Sequence, residues 1–289
     1  MPLWLVSATG PRALIDHAAI AAEECENPPL SISMFEAGKT VWSLDLLYAE
    51  EADLLALKLT FESFDTSLAA LELHQGPLPE ENWVAKSLKG LKPIEAGRFY
   101  VHGSHDAHLM PPGKIPIVIE AGEAFGTGHH GTTEGCLDAL SRIDRDYRPA
   151  RVLDLGTGSG ILAIAAAKMW HGSVLATDID PIAVNVAHEN ARLNGVQSDI
   201  RFAVAGGTCH AEVHAGAPYD LIIANILALP LRQMAGQIGA ALAPGGTLVL
   251  SGLLKEQAPR VEAVYAGHHA PSQARLTYGE WMTLICRKA

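Results

Sequence analysis

The order of apolar and polar positions divides this chain into two differently patterned parts. Up to residue 75, short apolar runs alternate with helical periods. Leu3 to Val6 reads as a strand and Pro11 to Glu24 as a helix, with Pro11 in the first turn, where a missing N–H costs nothing. Leu30 to Glu36 and Lys39 to Leu46 predict a hairpin about the turn Glu36, Ala37, Gly38, Lys39, where Gly38 supplies a positive φ. Glu50 to Phe61 predicts a second helix that buries Leu54, Leu55, Leu57 and Leu59, with Glu50, Glu51 and Asp53 placed where the helix dipole favours anions. Leu68 to Leu73 predicts a closing strand. Strand, helix, strand, strand, helix, strand is the ferredoxin-like order.

Glycines and prolines then punctuate the chain from Gln75 to Pro116, which reads as a connector ordered in part by Trp83 and Phe99. It carries His102, His105 and His108. With no fourth ligand near them these read as loop histidines, and no metal is expected. After Arg151 a regular alternation begins. Strands are predicted at 151–155, 173–178, 200–204, 221–224 and 247–251, with helices at 161–169, 181–193 and 227–242. This pattern predicts an α/β fold, a parallel sheet with helices on both faces. The expected domains are therefore 1–74, ferredoxin-like, a linker over 75–114, and a larger domain over 115–289.

Hydrophobic residues make up 48% of the 289 positions and charged ones 18%, enough apolar material for a large core and incompatible with a disordered chain. The longest uninterrupted apolar run, Ile161 to Ala167, falls well short of the roughly 20 residues that cross a bilayer. No basic leader precedes an apolar block at the N-terminus, so a cytoplasmic protein is expected, without membrane contact. A monomer is expected. Cys25, Cys136, Cys209 and Cys286 are too dispersed for a disulfide framework or a zinc knuckle. The first 75 residues hold three basic side chains against twelve acidic ones, most of a net charge of −11. That field repels a phosphate backbone, so no direct nucleic-acid binding is expected, and it suits a basic protein partner.

The sharpest chemical signal runs from Val152 to Gly160, a strand that leads through Gly156, Gly158 and Gly160 into a helix. In an open parallel sheet such a loop lies at the C-terminal strand edge, where ligands bind. The glycines alternate, whereas a dinucleotide fingerprint wants its third glycine three positions after the second. Asp154 precedes them, and alternating glycines after an acid resemble motif I of the methyltransferases that use S-adenosylmethionine (SAM). Asp178 ends the next predicted strand, twenty positions beyond Gly158, where a carboxylate can accept from both ribose hydroxyls. Asp180 reads as the cap of the helix that begins at Pro181. Asn225 ends the apolar strand from Asp220. Its carbonyl can accept from an incoming amine and steer the lone pair, or the residue can cap a helix.

Ala124 to Thr133 (Ala, Phe, Gly, Thr, Gly, His, His, Gly, Thr, Thr) resembles the signature that precedes motif I in the PrmA family, methyltransferases of large-subunit ribosomal protein eleven (L11). Asp154 to Ile164, Asp178 to Pro181 and Ala224 to Leu231 follow that family's later blocks in the same order. The resemblance covers residue 115 to the C-terminus. It implies a seven-stranded Rossmann-like methyltransferase sheet, SAM as methyl-donating co-substrate, and SAM contacts at Thr133, Gly156, Gly158, Asp178 and Asn225. It further implies N-methylation of lysine and N-terminal amines of a basic ribosomal protein, chosen by the N-terminal domain. Displacement at a sulfonium by a neutral, desolvated amine calls for alignment only, so no dedicated catalytic base is expected. A lysine methyltransferase of another protein, such as electron-transfer flavoprotein β, is the alternative within the class. A silent SAM-binding adaptor and a nicotinamide oxidoreductase are the alternatives outside it. Two stretches depart from the family pattern. Glu120 to Glu123 replaces an Asp, Pro, Gly run, and Ala205, Gly206, Gly207 offers no acid to the adenine amino group.

Overall fold

A computed structural model describes residues 3–23, 25–37, 41–77, 93–119, 130–145 and 147–289. Gly38, Trp83 and the first six residues of the Ala124 to Thr133 signature lie outside them, as do Glu120 to Glu123. The chain divides into two units.

The N-terminal unit runs β1 (Trp4–Gly10), α1 (Arg12–Glu23), β2 (Ser31–Glu36), β3 (Trp42–Tyr48), α2 (Leu54–Phe64) and β4 (His74–Pro77). Its four strands lie in the order β2-β3-β1-β4, with β1 antiparallel to both β3 and β4. This is the ferredoxin-like arrangement. Strand period two places the register pairs Val6 with Leu46 and Ala8 with Leu44 on one face, all of them buried. Helix α1 buries Ile15, Ala18, Ala19, Ala21 and Ala22.

Helix α2 begins later than its acidic residues suggest, because the Asp53 carboxylate accepts from the N–H groups of Leu55 and Ala56, both at 3.0 Å. That start puts Leu57 and Phe61 one turn apart on the buried face. Leu55 and Leu59, expected inside, stand 69% and 59% exposed on another face. The closing strand also lies later than expected. Asp65 accepts from Ser67 N–H at 2.8 Å and nucleates a 3₁₀ turn over Thr66–Ala70, so pairing with β1 starts only at His74.

The larger unit contains β5 (Ile94–Ala96), β6 (Phe99–His102) and β7 (Ile115–Val118), then α3 (His130–Ile143), β8 (Arg151–Leu155), α4 (Ile161–Trp170), β9 (Ser173–Asp178), α5 (Pro181–Leu193) and β10 (Ile200–Val204). It continues with α6 (Ala211–Gly216), β11 (Tyr219–Asn225), α7 (Ala228–Gln233), α8 (Ala235–Ala241), β12 (Leu242–Leu254), α9 (Ala258–Gly267), β13 (Ser272–Tyr278) and β14 (Trp281–Arg287). Residues 93–114, read as connector, differ from that expectation. Strand β6 pairs with β5 and β7, and Ile94, Ala96, Phe99 and Val101 enter the larger unit's core. Segments this short, hemmed by glycine and proline, show too little period to be read as strands.

The main sheet has seven strands in the order β10-β9-β8-β11-β12-β14-β13. Five are parallel as the alternation predicts, but β14 runs antiparallel to both β12 and β13, joined to β13 through a tight turn where Gly279 takes φ +57°. The helix expected over 227–242 is interrupted at Met234, whose φ and ψ of −91° and 1° end α7 before α8 begins. Alternation sends Val152, Val174, Ala176, Ile223 and Val249 to the core under α3 and α4. Leu153, Leu155, Leu175, Ile222, Ala224 and Leu250 go to the core under α7, α8 and α9. Helix α4 is apolar all round because every one of its residues but Lys168 is buried. Among the described residues no helix is long and apolar enough to cross a membrane.

Candidate active site

Strand β8 is flanked by β9 on one side and β11 on the other, so the chain leaves its C-terminal end in one direction and later returns on the opposite side. This is the switch point at which open α/β sheets form a crevice. By period-two alternation Asp154, Asp178, Asn225 and Ser251 all belong to the α3 and α4 face of the sheet.

The loop after β8 needs its glycines for specific reasons. Gly156, Gly158 and Gly160 take φ of +75°, +54° and +85°, in the left-handed region that other residues avoid. A Cβ at Gly156 would lie 2.4 Å from the Ile226 side chain, and one at Gly160 would lie 3.0 Å from Ala187 of α5. Two of the three glycines therefore admit protein neighbours. The loop is tied down by the N–H groups of Gly156 and Thr157, which both donate to the Thr177 carbonyl at 2.9 Å.

Asp154 lies beneath the loop, 1% exposed. Its Oδ2 accepts from Thr157 Oγ1 at 2.6 Å and from Ala163 N–H at 3.1 Å, joining the loop to the first turn of α4. Its Oδ1 is buried with no partner. Burial pushes this carboxyl up to about 7, although both hydrogen bonds pull the other way. Asp178, half-buried at the end of β9, accepts from Gly158 N–H on Oδ2 at 2.9 Å and from Asp180 N–H on Oδ1 at 3.0 Å. Two backbone donors thus fix the carboxylate, and each oxygen keeps a further lone pair. Asp180 is the cap of α5, accepting from Ile182 N–H at 2.8 Å.

Sequence reading missed the apolar surroundings of Asp178. Ile179 and Val204 are 66% and 47% exposed, and Val204 is the register partner of Asp178 on β10. The only sequence signal was an isoleucine between two acids at a strand end. Exposed aliphatic side chains beside an oriented carboxylate suit a nucleoside, with an apolar ring next to a diol. The donor set and its surroundings therefore fit SAM.

Asn225 ends β11 and does not cap α7, whose cap position is Leu227. Its Nδ2 donates instead to Thr132 Oγ1 at 3.4 Å. Thr132, buried in the first turn of α3, stands one residue before the predicted Thr133, which is half-buried. Helix α3 comes this close to the sheet through glycine. A Cβ at Gly135 would meet Thr283 Oγ1 at 2.2 Å, and one at Gly131 would meet the Trp281 ring at 2.9 Å. His102 Nδ1 lies 2.8 Å from the Gly103 carbonyl, and no group of three His, Cys, Asp or Glu among the described residues is placed to hold a metal.

The model of the ribosomal protein L11 methyltransferase (PrmA) family matches residues 14–289. The chain belongs to that family. A ribosomal protein L11 methyltransferase of Rhizobium meliloti (strain 1021) is 45% identical over 273 residues, 94% of this chain and 93% of the relative. The one from Agrobacterium fabrum (strain C58) is 52% identical over 211 residues, 73% of this chain and 72% of the relative. Among solved structures, a ribosomal protein L11 methylase from Lactobacillus delbrueckii subsp. bulgaricus superposes with a TM-score of 0.62 at 32% identity, covering 69% of this chain and all of its own. Family membership therefore spans both units, well beyond the stretch from residue 115 on which the sequence resemblance rested.

Proposed function

We propose that this protein transfers methyl groups from SAM to lysine ε-amines and the N-terminal amine of ribosomal protein L11, as a cytoplasmic monomer. The N-terminal unit selects the substrate. The observation that carries this reading is the switch-point crevice, where Asp178 is aimed by Gly158 N–H and Asn225 ends the strand on the far side of the glycine loop. The relatives' names supply the acceptor, and the acidic character of the first 75 residues suits a basic ribosomal protein.

When bound, SAM supplies a methyl group made electrophilic by its sulfonium. Asp178 would hold the nucleoside through the ribose hydroxyls, and Ile179 and Val204 would offer an apolar surface to the adenine. No covalent nucleophile is needed, so the chain's task is to align and to exclude water. A free lysine has a pKa near 10.4, and desolvation beside a positive charge lowers it toward the neutral amine that can attack. Asn225 accepts an N–H from that amine through Oδ1 and so directs the lone pair without acting as a base.

Incubating purified L11 with the enzyme and tritiated SAM, followed by mass spectrometry of L11, should give methyl increments on lysines and on the N-terminus. Asn225→Ala should transfer methyl at saturating SAM slower by about tenfold or more. Label entering other proteins but not L11 would overturn the substrate, and an unimpaired Asn225→Ala would overturn the orienting role.

A further inference from the structure

A carboxamide whose oxygen must face a substrate has to be kept from turning over. Its two ends are nearly equal in size and differ only in hydrogen bonding. In this site the discriminating group is on α3. Asn225 and Ser251 are register partners on β11 and β12, and both reach Thr132. Asn225 Nδ2 donates to Thr132 Oγ1 at 3.4 Å, while Ser251 Oγ donates to the Thr132 carbonyl at 3.2 Å. Ser251 is in turn joined to Thr283 Oγ1 at 2.8 Å, and Ser251, Thr283 and Thr132 are each no more than 1% exposed. Two buried hydroxyls on β14 and β12 thus anchor the Thr132 carbonyl, and the side-chain hydroxyl of the same residue meets the nitrogen of the Asn225 amide.

The geometry points to Thr132 as a positioning residue for methyl transfer. Its hydroxyl takes the amide nitrogen, which leaves Asn225 Oδ1 turned away from α3 and open to the incoming amine. Ser251 and Thr283 hold Thr132 in place through its carbonyl, and the absence of side chains at Gly131 and Gly135 lets α3 sit close enough for the contact. Valine at 132 matches threonine in size and lacks the hydroxyl, so the amide would lose the partner that sets its orientation. The inference rests on the orienting role assigned to Asn225 above.

The test uses the full-length enzyme with purified L11 and tritiated SAM. Thr132→Val should lower kcat by on the order of tenfold while leaving SAM affinity by calorimetry and the Tm near those of the parent. Thr132→Ser, which keeps the hydroxyl, should restore most of the rate. Thr132→Val added to Asn225→Ala should cause no further loss, because the hydroxyl acts only through the amide. A parental kcat for Thr132→Val beside a slow Asn225→Ala overturns the inference alone, as does a Thr132→Val loss that persists in full in the double variant. A fall in SAM affinity that accounts for the lost rate also overturns it, by making Thr132 a binding residue. A parental rate for Asn225→Ala overturns the orienting role itself.

Discussion

The two larger sheets of this protein are built from similar apolar strands, yet only one assembles chemistry. In the seven-stranded sheet β10, β9, β8, β11 and β12 are parallel neighbours, so their C-terminal ends share one edge. Gly156, Asp178 and Asn225 follow or end three adjacent strands there and converge with no long-range design beyond topology. In the four-stranded sheet every neighbour is antiparallel, so successive strand ends fall on opposite edges. Its polar strand residues meet in mid-strand instead, as Ser33, Asp45 and Ser7 do in one register row, away from the strand ends. A parallel sheet concentrates strand ends, and an antiparallel sheet disperses them.

The largest contrast should come from adding one methyl to each sheet. Gly156→Ala forces a non-glycine residue to φ +75° with its Cβ 2.4 Å from Ile226, and should weaken SAM binding by calorimetry by on the order of a hundredfold. Gly76→Ala on β4, where a Cβ meets nothing within 4 Å, should leave SAM affinity and Tm unchanged. Equal losses in the two variants would erase the distinction.

A smaller effect separates the two faces of α2. Leu57→Ala should cost about 2–5 kcal/mol in urea unfolding, since Leu57 is 4% exposed. Leu55→Ala, at 69% exposure, should stay within about 0.5 kcal/mol. Similar costs would mean that the outward leucines are covered in solution.

The last contrast is a difference in slope with pH. Burial raises Asp154 from 3.8 to about 7 and Asp45 from 3.8 to about 6. An acid raised in the folded state destabilises as pH climbs, because the unfolded chain ionises first. The penalty begins near pH 4 and is complete once pH has passed the folded pKa. The stability of Asp154→Asn relative to the parent should therefore rise from pH 4 to about pH 7 and then level off, and that of Asp45→Asn should level off about a unit earlier. Urea midpoints across this range read the slope. A relative stability of Asp154→Asn that falls with pH would show that the carboxylate is stabilised rather than strained by its surroundings.

The parallel strands and helices α4 and α5 of the larger unit were legible because each carries a regular period, whereas α3, α6 and α9 were not read. Helix α5 and the strands at 151–155, 173–178 and 200–204 match the reading to the residue. The glycine loop, Asp178 and Asn225 were legible because their spacing follows from strand-loop-helix geometry. The misreadings share a physical origin. Leu55 and Leu59 look like core until the cap at Asp53 sets the phase of α2. The strands at 94–102 are too short to show a period, and the β13–β14 hairpin reverses direction in a turn that looks like any other polar gap. Thr132 was passed over for its neighbour because sequence order does not say which of two threonines on a first helical turn faces a strand ninety residues away.

Local pattern thus determined the long parallel strands and the helices that follow the glycine loop and Asp178, and the identities of the glycines and acids marked the strand edge at which they lie. Three-dimensional packing alone decided which atoms those residues touch: Ile226 over Gly156, a backbone N–H on each Asp178 oxygen, a buried threonine hydroxyl on the Asn225 amide. Secondary structure arises from interactions within a few residues, which the chain order displays directly. Side-chain contacts between elements depend on the phase of each helix and the register of each strand, and those are set only when the layers close on one another.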